Sequence, residues 1–78
     1  MRKVYKDPKE LSMCLKDLVD LYLDNIITYE KLVEKITILL NANEERIYKD
    51  GNISTKILYI IGSTRVDIIN EIYSARDN

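Results

Sequence analysis

The apolar residues that follow KDPKEL recur at helical spacing, and this pattern constrains the fold of the chain more than any other feature. Asp7 can cap a helix, Pro8 fits the first helical position, and Glu10 falls where a capping-box carboxylate reaches back. The stripe that follows consists of Leu11, Cys14 or Leu15, Leu18, Val19, Tyr22 and Ile26. Apolar side chains spaced in this way form one face of an amphipathic helix. We therefore predict a helix from Pro8 to about Asp24.

A second helical stripe begins only a few residues later. Thr28 can cap it, and Ile27 and Leu32 stand at the two positions where a hydrophobic staple closes. The residues that continue the helical spacing are Leu32, Val33, Ile36, Leu39 and Leu40. The second helix is thus predicted from about Tyr29 to Asn43. Because a connection this short is typical of antiparallel neighbours, the two helices should form a hairpin.

The stretch from residue 44 to residue 54 interrupts the helical period and contains the turn residues DGN. Two structures fit this stretch. In one, the second helix continues to Lys49 and stops at Gly51. In the other, residues 46–48 form an extended link. The sequence leaves the choice between them open.

Two further helices are predicted after this stretch. Ser54 or Thr55 caps a short helix over residues 56–61, which Gly62 ends or kinks. Thr64 caps the last helix. The inward-facing residues of that helix are Ile68, Ile69, Ile72 and Tyr73. Together these patterns predict an all-α fold, a small bundle of about four helices built as a helical hairpin and a helix-turn-helix-like corner.

Length and composition limit the class of protein further. The 78 residues form a single domain (1–78), and 46% of them are apolar, which is enough for a core. One cysteine excludes an intramolecular disulfide and favours the reducing cytoplasm. No apolar stretch approaches the ~20 residues of a bilayer span, and no signal-peptide pattern is present. We expect a cytoplasmic protein with no membrane partner, whose residues 1–6 form a flexible basic arm.

Residues 60–72, IIGSTRVDIINEI, have the local pattern of a DNA-reading helix-turn-helix. The outward face of its second helix would carry Thr64, Arg65, Asp67, Asn70, Glu71 and Ser74. Arg65 and Asn70 can read a purine edge, but the two carboxylates on this face would repel the phosphate backbone. Twelve basic and thirteen acidic residues also leave a net charge of −1, which attracts no nucleic acid. DNA binding is therefore the second hypothesis for this chain.

Residues suited to catalysis are scarce. The chain has no histidine, and Cys14 lies within an apolar helical pattern with no partner base. That pattern indicates that Cys14 is a small buried side chain. Asp17, Asp20 and Asp24 share one helix face, but a hard cation would need further oxygens opposite them. We expect no enzyme, no metal site and no cofactor.

The start of the last predicted helix is a possible anion site, because a helix N-terminus presents free backbone N–H groups. Ser63, Thr64 and Arg65 stand at this point, with Lys56 and Tyr59 shortly before them. The candidate contacts to a partner or ligand are Lys56, Tyr59, Ser63, Thr64, Arg65 and Asn70. Sequestration of a small anionic ligand, such as a nucleotide, is the third hypothesis.

Three features of the chain resemble those of small helical proteins from low-GC Gram-positive bacteria and their phages. They are the capped first helix, the IYKDG turn, and the later G-x-x-R followed by paired aliphatic residues. The resemblance implies a compact helical protein of phage or mobile-element origin, and it assigns no activity and no site residue. The composition fits an AT-rich gene, because 32 of the 78 residues are Ile, Lys, Asn or Tyr.

With neither a catalytic set nor a basic surface, the sequence favours a function in binding. We predict a small cytoplasmic protein that acts stoichiometrically on a protein partner, as an inhibitor or an adaptor. All six aromatic residues are tyrosines, which suit half-buried and interface positions. A homodimer is also expected, because association covers apolar surface that so small a core leaves exposed.

Overall fold

The computed structural model describes residues 3–76, which contain four helices and one small hairpin. The elements in chain order are α1 (Pro8–Leu23), α2 (Tyr29–Ile47), β1 (Tyr48–Lys49), β2 (Asn52–Ile53), α3 (Thr55–Ile61) and α4 (Ser63–Arg76). The predicted all-α bundle of about four helices is confirmed. No helix in this part of the chain has both the length and the apolar character that crossing a bilayer requires.

α1 begins and ends where the sequence predicts. The Asp7 carboxylate accepts a hydrogen bond from the backbone N–H of Lys9 at 2.9 Å, and Pro8 occupies the first helical position. Proline loses nothing there, because the first N–H groups of a helix have no partner within it. The helix runs to Leu23 and Asp24 caps its end.

The buried stripe of α1 differs from the predicted one at three positions, Cys14, Tyr22 and Ile26, of which Tyr22 is half-buried and packs against the core from its edge. Leu15 is fully buried, whereas Cys14 is only half-buried, so the thiol is not the core residue that the pattern indicated. Ile26 is 67% exposed. It continues the helical spacing in the sequence, but the helix has ended before it, so it no longer shares the buried face.

The start of α2 confirms the predicted cap, and both residues of the predicted staple lie in the core or against it. The Thr28 hydroxyl accepts a hydrogen bond from the backbone N–H of Lys31 at 3.2 Å. Leu32 is fully buried and Ile27 packs against the core from its edge. The helix entry is therefore held by the Thr28 cap, while the contact between Ile27 and Leu32 stays a prediction.

Asn43 marks an interruption of α2 rather than its end. Its backbone is non-helical, with φ −132° and ψ 23°, yet helical turns continue beyond it to Ile47. Its side chain is 2% exposed and hydrogen-bonded through both amide atoms. Oδ1 accepts from the N–H of Tyr5, and Nδ2 donates to the carbonyl oxygens of Lys3 and Leu39. A buried amide without these partners would destabilise the fold. The hydrogen bonds of the Asn43 side chain therefore stabilise the interruption of α2.

The same hydrogen bonds attach the segment before α1 to α2. Asn43 contacts Lys3 at 2.6 Å and Tyr5 at 2.9 Å. Residues 1–2 of the predicted flexible arm lie outside the described residues. The contacts show that the remainder of residues 1–6 has at least two fixed points on the bundle, whereas its flexibility stays a prediction.

A two-residue hairpin follows α2, and neither structure predicted for residues 44–54 describes it fully. Tyr48 pairs with Ile53 and Lys49 pairs with Asn52 across an antiparallel register. The turn residues Asp50 and Gly51 have φ values of 53° and 83°. Asp-Gly tolerates this left-handed backbone, which matches the twist of the two strands.

Gly62 alone connects α3 to α4. Its backbone has φ 87° and ψ 158°, its N–H donates to the Leu58 carbonyl at 2.9 Å, and its own carbonyl accepts from Val66 N–H at 3.1 Å. α4 therefore begins at Ser63. The predicted cap, Thr64, lies inside the first turn and is exposed, so that prediction was wrong. Gly62 supplies the carbonyl that starts the helix one residue earlier.

The core lies where the four helices meet. α1 packs against α2 and α3, and α2 also packs against α4. Among the residues predicted to face inward on α4, Ile69 and Ile72 are buried, whereas Ile68 and Tyr73 pack only partly against the core. The core residues are Leu11, Leu15, Leu18, Val19, Leu32, Ile36, Leu39, Leu40, Ile47, Tyr48, Ile57, Ile61, Val66, Ile69 and Ile72.

Candidate functional site

The six predicted contact residues lie on α3 and α4, but they do not form one site. Lys56 and Tyr59 project from α3, and the Tyr59 side chain is 89% exposed. Thr64 is exposed in the first turn of α4. Ser63 and Asn70 line a surface cleft, whereas Arg65 turns away toward α1.

The cleft, of about 560 Å³, lies between α4 and the β-hairpin, and we call it the α4 cleft. Its lining residues are Tyr48, Gly51, Asn52, Ile53, Leu58, Ser63, Val66, Asp67, Asn70, Tyr73 and Ser74. Ser63, Asp67, Asn70 and Ser74 share one face of α4 because they recur at helical spacing. That face carries four of the polar side chains in the cleft. Asp67 is the one charged residue in this lining.

Tyr48 forms one wall of the α4 cleft. Its ring stacks on that of Tyr73, with centroids 3.7 Å apart and planes 10° apart. Its hydroxyl donates a hydrogen bond to Oδ1 of Asn70. Burial raises the pKa of Tyr48 to about 12, and the neighbouring Tyr73 adds to this while Arg76 opposes it. Tyr48 is therefore a neutral hydrogen-bond donor that holds the Asn70 amide in place.

Arg76 contacts the tyrosine pair that forms this wall. Its guanidinium carbon lies 4.9 Å from the centroid of the Tyr73 ring, which is the geometry of a cation–π contact. It also donates hydrogen bonds to Asn41 and Glu44 on α2. The tyrosine stack is thus connected to α2 through one side chain, which limits its freedom to rearrange.

Arg65 is not the outward cation that the helix-turn-helix pattern predicts. Its Nε donates to Oδ1 of Asp20 at 2.7 Å, and its Nη1 donates to the Ile61 carbonyl at 3.1 Å. Lys16 forms a second ion pair with Asp20 at 2.9 Å. The hydrogen bond from Arg65, followed by that from Lys16, holds the pKa of the Asp20 carboxyl below its usual value. The first turn of α4 lies beside α1, and this neighbour is what redirects the arginine.

The remaining charges on the predicted reading face are acidic. Asp67 and Glu71 are exposed, and the Tyr29 hydroxyl donates to Glu71 at 3.4 Å. Burial, and then the nearby Glu71 carboxylate, raise the pKa of Tyr29. With Arg65 paired, this face offers phosphate no cation within the lining of the α4 cleft.

A second concave surface, which the sequence pattern did not predict, lies on α1. This surface, the α1 groove, has a volume of about 520 Å³. Its lining residues are Tyr5, Lys9, Glu10, Met13, Cys14, Asp17, Leu18 and Leu21. The exposed Met13 lies between charged neighbours. The signals in the sequence were Met13 and Leu21, two apolar residues of α1 that lie outside the predicted stripe.

The aspartates that share a face of α1 do not form a cation site in the structure. Within residues 3–76 no three His, Cys, Asp or Glu side chains come together as possible metal ligands. Asp20 instead pairs with Lys16 and Arg65. Through Arg65, the Asp20 carboxylate connects α1 to α4.

Fold and surface together define a compact, small helical bundle with a tyrosine-walled cleft on its last helix. The chain belongs to a family described as conserved hypothetical protein, whose model matches residues 2–74. Comparison with curated proteins and comparison with solved structures gave no significant match. The matched range includes both the α4 cleft and the α1 groove, so both surfaces lie within the family domain.

Proposed function

We propose that this protein has no catalytic activity and acts by binding a protein partner stoichiometrically, as a cytoplasmic inhibitor or adaptor. The observation that carries the proposal is the α4 cleft. It combines a stacked tyrosine pair with hydrogen-bonding side chains, its lining includes the exposed Leu58 of α3, and the exposed Tyr59 follows Leu58 in the chain. Interfaces are rich in such tyrosines, because their rings bury apolar area while their hydroxyls keep a partner.

Tyr59 is the residue best placed to anchor the partner. It is 89% exposed, and Leu58 beside it is 38% exposed. A large aromatic side chain held on a short helix costs little conformational entropy when it becomes buried. Tyrosine is also among the residues that carry most of the binding energy in measured interfaces.

The charge of the α4 cleft indicates the chemistry of the partner. Asp67 is the charged residue of the lining, and the other polar groups are neutral. A lysine or arginine side chain from the partner would pair with Asp67, while flanking apolar residues would cover Leu58 and Tyr59. We therefore propose a protein segment in which a basic residue stands next to apolar ones.

The alternative functions receive less support from the same geometry. A small anionic ligand would meet Asp67 in the cleft, and Arg65 at the start of α4 is already paired with Asp20. A DNA backbone would meet the carboxylates of Asp67 and Glu71. Neither ligand would find in the α4 cleft the cation that it requires.

The proposed partner is tested by affinity capture from the cell in which the gene is found, followed by calorimetry with the purified partner. We expect one-to-one binding that Asp67→Lys and Tyr59→Ala each weaken by at least about tenfold. Glu34→Lys is the matched control, because it makes the same charge change on an exposed position of α2. This control should bind normally.

Three results would contradict the proposal. The first is equal weakening by the control. The second is salt-dependent binding to mixed DNA that Arg65→Glu removes, because this would support a DNA-binding regulator. The third is a rise in melting temperature with a nucleotide while no protein is captured, which would support a sequestering protein.

We also propose an origin in a phage or mobile element of a low-GC Gram-positive bacterium. The support is the AT-rich composition, in which 32 of 78 residues are Ile, Lys, Asn or Tyr. Neighbouring genes for phage structural or lysogeny proteins are the expected finding. A location among housekeeping genes in several genomes would argue against it.

A further inference from the structure

The α1 groove is distinct from the α4 cleft, since the two linings share no residue. Met13 is one of its lining residues and is 42% exposed. Tyr5, Cys14 and Leu21 extend the apolar surface on either side, each packed partly against the core. A flexible, polarisable methionine in this position suits contact with another protein surface.

The charges around Met13 form an ordered pattern. Lys9 lies four residues before it and Asp17 four residues after it, so the two flank Met13 on the same side of α1. Glu10 and Lys16 stand three residues away with the signs exchanged, although Lys16 already pairs with Asp20 and lies outside the groove lining. At each of these distances the two charges are opposite.

This pattern is complementary to itself when the direction of the helix is reversed. In an antiparallel pair of helices related by a two-fold axis beside Met13, a residue before it meets a residue equally far after it on the other copy. Lys9 of each copy then faces Asp17 of the other. Both side chains are exposed, and neither is in an ion pair within the described residues 3–76.

We propose that α1 is a self-association surface on which two copies pair their α1 helices antiparallel around Met13. A two-fold interface uses the same patch on both molecules, so it requires a patch with balanced charges of mirrored sign. A nucleic acid or an anionic membrane would require cations alone. The α1 groove, with Lys9 and Asp17 at the edges of its apolar surface, has the balanced charges that a two-fold interface requires. It lacks the purely cationic surface that a nucleic acid or an anionic membrane would require.

Charge exchange tests this geometry by sedimentation equilibrium at low ionic strength. Lys9→Glu and Asp17→Lys each place like charges opposite one another twice per dimer, and we expect each to weaken association by about tenfold. The double variant exchanges the signs at both positions and should restore the wild-type affinity. Lys31→Glu, a charge reversal on the exposed part of α2, is the control and should have no effect.

A disulfide tests the position of the axis. In a Cys14→Ser background, Met13→Cys places two thiols across the proposed axis, where mild oxidation should link the copies rapidly. Glu34→Cys in the same background is the exposed control and should link slowly. Circular dichroism shows whether each variant keeps its helical content.

Three results would overturn the proposal. The first is a wild-type protein that stays monomeric at high micromolar concentration. The second is a double variant that associates no better than the single ones. The third is a Glu34→Cys control that cross-links as fast as Met13→Cys. Each test concerns α1, so these outcomes leave the proposed role of the α4 cleft unaffected.

Discussion

The two places where one helix leads directly into another are built differently. Between α1 and α2 the chain uses residues 24–28, with Asn25 at φ 61° and the Thr28 hydroxyl as the cap of α2. Between α3 and α4 it uses Gly62 alone, at φ 87° and ψ 158°. The connection between α1 and α2 is determined by several residues, whereas the connection between α3 and α4 depends on one glycine.

This difference shows which of the two turns is sensitive to substitution. Asparagine tolerates the left-handed region, so the first turn has alternatives at Asn25. The combination of angles at Gly62 is available essentially only to glycine. The direction of α4, and with it the position of Ser63 in the α4 cleft, therefore rests on a single backbone conformation.

The largest expected effect comes from replacing Gly62. A Cβ added at this position would meet no atom beyond its chain neighbours within 4 Å, so Gly62→Ala costs backbone strain and no clash. We expect the free energy of unfolding to fall by about 2 to 3 kcal/mol. Asn25→Gly should change it by less than about 1 kcal/mol. Urea denaturation of both variants measures the two changes in the free energy of unfolding. Equal losses in the two variants would contradict the expected difference between the two turns.

A second contrast concerns the tyrosines of the two halves. Tyr48→Phe keeps the ring stack but removes the hydrogen bond to Asn70, at a cost of about 1 kcal/mol. Because burial raises the pKa of Tyr48 from 10.0 to about 12, its contribution is complete below pH 10 and is lost as the pH rises toward 12. The Phe variant should therefore lose less stability than the wild type over this range.

Tyr29 provides the comparison from the first half of the chain. Its pKa is also raised, by burial and then by Glu71, so Tyr29→Phe should reduce the alkaline loss in the same direction. We expect the smaller reduction at Tyr29, because burial is the main cause of both shifts and Tyr29 is only half-buried whereas Tyr48 is buried. Denaturation at alkaline pH, from below the ordinary tyrosine pKa of 10.0 up to about 12, measures both. A larger reduction of the alkaline loss in Tyr29→Phe than in Tyr48→Phe would contradict this prediction.

The smallest effect is expected at the ion pair that joins the two halves. Arg65→Gln removes the contact to Asp20, and since both side chains are partly exposed we expect a loss of only about 0.5 to 1 kcal/mol. The pKa of Asp20 is lowered in the folded state, so the pair stabilises the protein above pH 3.8 and this contribution is lost as the pH falls.

Nuclear magnetic resonance titration of the Asp20 carboxyl measures this prediction directly. Its pKa should rise in Arg65→Gln, and should rise less in Lys16→Gln, because the hydrogen bond from Arg65 is the larger cause. An unchanged pKa in Arg65→Gln would mean that the contact is not maintained in solution.

Much of the fold could be predicted because the deciding contacts are local. Asp7 and Thr28 each cap a helix through a backbone N–H two or three residues away. The errors arose where two local signals competed. Thr64 is a good cap by residue type, but the Gly62 carbonyl starts the helix before it, and Ile26 continues a helical spacing after the helix has ended.

Less of the candidate site could be predicted, because its contacts join distant parts of the chain. Ser63 and Asn70 were identified as candidates and do line the α4 cleft. Tyr48 was not identified. Its importance depends on Tyr73 and Asn70, and no short pattern connects a tyrosine after one helix to the middle of another.

The sequence by itself determined the four helices, the caps of α1 and α2 and most of the apolar faces, because these depend on forces that act within one or two turns of the chain. The tertiary structure decided which polar groups remain available. The packing of α4 beside α1 joined Arg65 to Asp20, and the hairpin brought Tyr48 to Asn70. The partners in these contacts are 45 and 22 residues apart. Such pairs are stable only where packing holds the helices in place, because chain entropy opposes each of them alone.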